Sequence, residues 1–169
     1  MNYTVLALRL IHILSGVFWV GSSVMLGFFI SPGIAATAEA GQKFMAHIVT
    51  KGRITLSITV SAILTVLAGG ALYWIDSNGL TSAWQRSGAG IGFGIGGLLA
   101  LVGLVFGILV GKNVSTLGTL ASKIQGRPTD EQMKTIMAAQ KQLATVAPIS
   151  TIALILALVC MAIARYLVL

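Results

Sequence analysis

Four long apolar runs, separated by short polar connections, set the pattern of the chain. They cover about residues 8–32, 54–75, 87–111 and 148–167. Each approaches or exceeds the roughly 20 residues an α-helix needs to cross a bilayer core of about 30 Å. The second run, ITLSITVSAILTVLAGGALYWI, and the third, SGAGIGFGIGGLLALVGLVFGILVG, carry no charge; the fourth is interrupted only by Arg165 near its end. The pattern predicts an all-α, four-helix transmembrane bundle, with residues 1–169 forming a single domain.

The connections differ in kind. Residues 37–53 form a polar, partly helical link. Residues 76–86, DSNGLTSAWQR, read as a turn flanked by Trp74 and Trp84, which suit interface anchors. The third connection, 112–147, is longer. Residues 112–125 continue the third helix, Gly126-Arg127-Pro128 breaks it, and the run from Thr129 to Gln132 matches a capping box. Helix then runs up to Pro148, where a kink is expected. This stretch predicts either a helical hairpin protruding from the bilayer or a surface helix using Met133, Ile136 and Met137.

Composition supports the membrane reading and removes several activities. The chain is 56% hydrophobic and only 9% charged, against roughly 25% charged residues in soluble domains. The first run is too long for a removable signal peptide and lacks a small-residue cleavage pattern. Lys43, Lys51, Arg53, Lys112, Lys123, Arg127, Lys134 and Lys141 lie in the connections after the first and third runs; Arg9, Arg86 and Arg165 lie at the other boundary. The excess puts those two connections in the cytoplasm and both termini on the non-cytoplasmic side, as in a multi-pass protein of the bacterial inner membrane. No base-stacking aromatics interleave with the lysines, so the net charge of +7 does not imply nucleic acid. The single cysteine, Cys160, excludes an intrachain disulfide and a Cys-rich metal site. All four acids, Glu39, Asp76, Asp130 and Glu131, lie outside the runs, which argues against a carboxylate-driven transporter. No hydrolytic motif is present, and the residues assign no enzymatic activity.

The candidate chemistry centres on the first run, LRLIHILSGVFWVGSSVMLGFFISP. An ionisable side chain in a membrane helix costs a few kcal/mol unless it is partnered, which makes His12 a functional candidate. His12, Ser15, Gly16, Trp19 and Ser22/Ser23 share one helix face. In the second run Arg53, Ser57, Ser61 and Thr65 recur every fourth residue, continued by Ala68 and Gly69. The two stripes predict a polar seam. Arg53 either snorkels to lipid phosphates or pairs with an acidic cofactor group such as a haem propionate. His47 lies in the cytoplasmic link, most of a bilayer from His12, which disfavours a bis-histidine haem. Met161 falls at the depth of His12, with Cys160 beside it. Three readings fit: haem held by His12 and Met161, Cu(I) held by His12, Met161 and Cys160, or no cofactor, with these side chains packing. Gly88/Gly92/Gly96 and Gly103/Gly107/Gly111 form two ladders in the third run. Such faces pack helices closely and could dock another membrane subunit or a second copy of the chain.

Leu10, His12, Ile13, Ser15, Phe18, Trp19 and Gly21 follow the pattern L-H-(I/V)-x-(G/A/S)-x-x-(F/L)-W-x-G. This resembles the opening helix of the copper-resistance protein D-like domains and their uncharacterised four-helix bacterial relatives. It is more distantly similar to the four-helix protoporphyrinogen oxidases. The resemblance implies a four-helix bundle and, from the haem-binding members, His12 as an axial ligand. The oxidases rely on a basic group within a later helix, whereas Lys112 lies at a helix end. The expected function is a small membrane protein binding a redox cofactor, b-type haem in the first instance, as an electron-transfer subunit. The alternatives are a cofactor-free accessory subunit and a copper-handling protein.

Overall fold

In the computed structural model, which describes residues 2–37, 39–124 and 126–167, the Asn2 carboxamide accepts from the N–H groups of Thr4 and Val5. It thereby caps α1 (Tyr3–Met25). A π-helical turn, Leu26–Ile30, carries α1 into α2 (Ser31–Thr37), giving one continuous helical rod. α3 (Glu39–Thr50) folds back on α2, and Gly41 makes the close turn possible. A Cβ there would lie 2.7 Å from the Ile34 Cα. Glu39 pairs with Lys43 one turn on, at 2.7 Å, and that hydrogen bond and charge hold its carboxyl below the usual value. α4 (Ile54–Asp76), the short α5 (Ser82–Gln85), α6 (Gly88–Lys123), α7 (Asp130–Ile163) and a 3₁₀ turn (Ala164–Tyr166) complete the chain. No strand occurs among the described residues.

The membrane-length helices form a ring in chain order: α1 packs on α4, α4 on α6, α6 on α7 and α7 on α1. Trp19, Ala62 and Leu154 fill the centre, backed by Val20, Ile58, Val66 and Leu104. The outer faces stay apolar. Leu14, Val17, Leu67 and Leu98 are each about two-thirds exposed, at 68%, 67%, 66% and 67%. On four helices long and apolar enough to cross a bilayer, that exterior faces lipid, and the chain is a multi-pass membrane protein. Arg9 meets Asp76 at 3.9 Å, and Gly88 lies against Leu167. Both termini and the α4–α6 turn therefore share one end of the bundle.

The glycine ladders are consumed inside the chain. A Cβ on Gly92 would lie 2.8 Å from Ala164 Cα, one on Gly96 2.8 Å from Met161 Cγ, and one on Gly103 2.6 Å from Leu154 Cδ2. Ser150, buried in the same seam, donates its hydroxyl to the Gly103 carbonyl at 2.9 Å. The face expected to dock another membrane subunit or a second copy is thus covered by α7 and the turn that follows it, and at Gly111 by Thr55 of α4. Missing side chains invite close approach by any helix, and the covalently linked neighbour takes the place.

α6 and α7, with 36 and 34 residues, are each about 50 Å long, well over the thickness of a bilayer core. They project at the end opposite the termini, where α3 packs on α6 with Val49 against Gly118. α7 runs through Pro148 without a break, so its first turns extend the fourth span and do not form a separate surface helix. The capping box forms as the sequence suggests. Thr129 Oγ1 accepts from the Gln132 N–H at 3.2 Å, and Gln132 Oε1 accepts from the Thr129 N–H at 2.9 Å. Thr129→Ala is expected to cost about 1 kcal/mol locally. It should appear as roughly fivefold faster amide exchange in the first turns of α7, with the membrane-embedded turns unchanged.

Candidate functional site

The site lies where α1 crosses α4, and small residues on both helices create it. Gly16 brings α1 close to Thr65, whose Cγ2 would be 3.4 Å from a Cβ at that position. One turn along α4, Gly69 leaves a slot that the His12 imidazole fills. A Cβ on Gly69 would lie 2.6 Å from His12 Cε1 and 2.9 Å from Nδ1. The ring is partly buried there, and its Nδ1 is 2.7 Å from the Thr65 carbonyl oxygen. A carbonyl can only accept, so Nδ1 carries the proton. In the neutral ring Nε2 then holds the lone pair.

Hydroxyls extend the contact. Thr65 Oγ1 lies 2.8 Å from Ser15 Oγ and 2.7 Å from the Ser61 carbonyl. Ser15 in turn donates to the Ile11 carbonyl, so its oxygen has a lone pair to offer Thr65. Thr65 is buried although it lies mid-membrane, and these contacts satisfy it. The Arg9–Asp76 pair sits one turn nearer the end of the bundle. With side chains 42% and 33% exposed, it is a weak tether between α1 and α4.

The remaining candidates are dispersed. Trp19 is buried in the central core against Ala62 and Leu154, about 10 Å along α1 from His12. Arg53 precedes the first turn of α4, in the left-handed region at φ 52°, about 18 Å along the helix from Thr65. Met161 and Cys160 face Gly96 in the α6–α7 seam, whereas the contacts of His12 lie in the α1–α4 seam. His47 is exposed on α3, toward the other end. Among the described residues no three His, Cys, Asp or Glu side chains come together to hold a metal ion.

Two partners of His12 were not assigned to it by sequence: the Thr65 carbonyl and the slot at Gly69. The Gly69–Gly70 pair in a span rich in β-branched residues was the available signal for the slot. A backbone acceptor carries no residue signature. No protein-family model, curated protein or solved structure matches the chain. What the site can do is therefore read from its own atoms: an imidazole fixed at one nitrogen, with the other able to accept a hydrogen bond or bind a metal.

Proposed function

We propose that the protein binds b-type haem through His12 Nε2 and serves as an electron-transfer component of a bacterial inner-membrane assembly. One observation carries this reading, the hydrogen bond from His12 Nδ1 to the Thr65 carbonyl. A ligating histidine usually engages its second nitrogen with a carbonyl or carboxylate, which sets its tautomer and orientation. The donor chemistry of the site thus fits an axial ligand. Haem, when bound, would supply one-electron chemistry. The chain's own part is to orient the imidazole through Thr65, hold its position with Gly69, and exclude water with the apolar faces of α1 and α4. His12 is the one ligand we assign. Met161 and Cys160, engaged at Gly96, give less support to a shared copper or haem site. The excess of basic residues on the end formed by α3 and the α6–α7 turn supports a cytoplasmic location for that end, with both termini outside.

The same hydrogen bond supports a second reading, a cofactor-free accessory protein in which His12 clasps α1 to α4. The depth of the Gly69 slot favours it, because the ring already packs there as part of the seam. An absorption spectrum of detergent-purified protein, expressed with ample haem and recorded before and after dithionite, separates the two. A sharp α-band in the reduced sample is expected. A featureless spectrum overturns the haem reading and leaves the clasp.

A further inference from the structure

Not every helical glycine in this protein is there for packing. Gly88, Gly92, Gly96, Gly103 and Gly118 each meet another segment so closely that a Cβ would collide. Gly21 and Gly33 have nothing within 4 Å of the Cβ position. Glycine inside a helix is unfavourable relative to alanine, so an open glycine needs another reason. Gly70 and Gly97 are equally open, but Gly21 and Gly33 line clefts. Gly21 lies in one of about 400 Å³ running from Val17 to Ile30, with Ile54 on its far wall. Gly33 lies in one of about 360 Å³ between Ile30 and Phe44. Ile30 lines both, so the two shallow depressions adjoin at the π-helical turn, a local distortion often found at functional positions, and form one surface groove along this face.

The groove has a depth and a charged end. From Val17 to Ile30 it follows α1 for about 20 Å, a little more than one leaflet of a 30 Å hydrocarbon core. Its lining is almost wholly apolar. Where it leaves the core, Arg53 immediately precedes the lining residue Ile54, and Lys51 lies two positions before Arg53. Both are exposed, and neither makes an ion pair among the described residues. Lys43, beside the lining residue Phe44, is held by Glu39. α4 also begins here with no side-chain cap, so its first N–H groups and positive dipole end remain open to an anion.

We propose that this groove seats one acyl chain of an anionic phospholipid, whose phosphate is met by Lys51, Arg53 and the uncapped start of α4. Charge complementarity selects the anionic lipid over a neutral one, and groove length matches a single leaflet. The open glycines keep this shallow groove clear of side chains where a hydrocarbon chain would lie. The site is remote from His12 and stands whether or not haem binds there.

Native mass spectrometry of the full chain in detergent, titrated separately with dioleoylphosphatidylglycerol and dioleoylphosphatidylcholine, tests this. The first equivalent of phosphatidylglycerol is expected to bind roughly tenfold or more tightly than phosphatidylcholine, from two basic residues at an anionic headgroup. Lys51→Gln with Arg53→Gln should bring the two lipids within about twofold of each other. Gly21→Leu and Gly33→Leu, at positions where a Cβ has no neighbour within 4 Å, should fill the groove and remove the first tight equivalent while leaving helicity unchanged. Equal binding of both lipids to the unaltered protein overturns the proposal. So does a preference that survives in the leucine variants, or a dimer that forms without lipid and is lost in them.

Discussion

Gly92→Leu is expected to prevent α6 and α7 from closing, and folded protein should be lost or strongly destabilised. At that position a Cβ would lie 2.8 Å from both Cα and Cβ of Ala164, and Ala164 is fully buried. Backbone cannot rotate away as a long side chain can. Either the helices separate or the 3₁₀ turn that follows α7 unwinds. Overpacking typically costs about 1–3 kcal/mol and occasionally more; here it also removes contacts along the seam, so the upper end applies. The control lies on the same helix. Gly97 has nothing within 4 Å of its Cβ position, so Gly97→Leu should be neutral or stabilising by up to about 1 kcal/mol through helix propensity. Thermal midpoints of the two variants in one detergent make the comparison. A normal midpoint for Gly92→Leu would mean that α7 does not cover the glycine face.

Sequence and structure agree most closely where the solvent imposes the pattern. The four apolar runs became four membrane-length helices because hydrocarbon demands them, but helix ends were less legible. The first run, apolar from residue 8 to 32, is helical from Tyr3 to Thr37, whereas the third helix continues past its apolar run to Lys123, close to the break expected at Gly126-Arg127-Pro128. Hydropathy reports where lipid is, and a helix that leaves lipid for water keeps its own hydrogen bonds. The end with a specific signal, Thr129 to Gln132, was readable because capping uses named side chains. The ladder from Gly88 to Gly111 announced close packing but not its partner. That choice depends on Leu154 and Met161 of α7, and Ala164 just beyond it, fitting the gaps at Gly103, Gly96 and Gly92, a match between two segments that neither displays alone. At the candidate site, His12, Ser15 and the Ser61/Thr65 stripe stand out in the sequence as polar groups recurring on apolar helices. That pattern could not reveal that the ring's partner is a carbonyl, although the twelve positions from Arg53 to Thr65 already place Arg53 too far along α4 to share the site.

That carbonyl makes the second large effect specific. Gly69→Ala keeps every atom of His12 and Thr65, yet its Cβ would fall 2.6 Å from His12 Cε1. The imidazole must shift in its slot, which weakens the 2.7 Å contact from Nδ1 to the Thr65 oxygen. Thr65→Val does the reverse: it removes the hydroxyl beside Ser15 but keeps the carbonyl. If haem is bound through His12, His12→Ala abolishes the reduced α-band and Gly69→Ala diminishes it severely. Thr65→Val retains it. A band unchanged in His12→Ala would exclude His12 as the ligand, and one lost in Thr65→Val but kept in Gly69→Ala would reverse the assigned roles of hydroxyl and carbonyl. If His12 is only a clasp, all the proteins are colourless and the information moves to stability. Gly69→Ala then costs about 1–3 kcal/mol for the displaced ring. Thr65→Val costs closer to the ~0.6 kcal/mol typical of a hydrogen bond between membrane helices. In both cases Gly69→Ala has the larger effect, because the slot fixes the ring and the hydroxyl only supports the helix beside it.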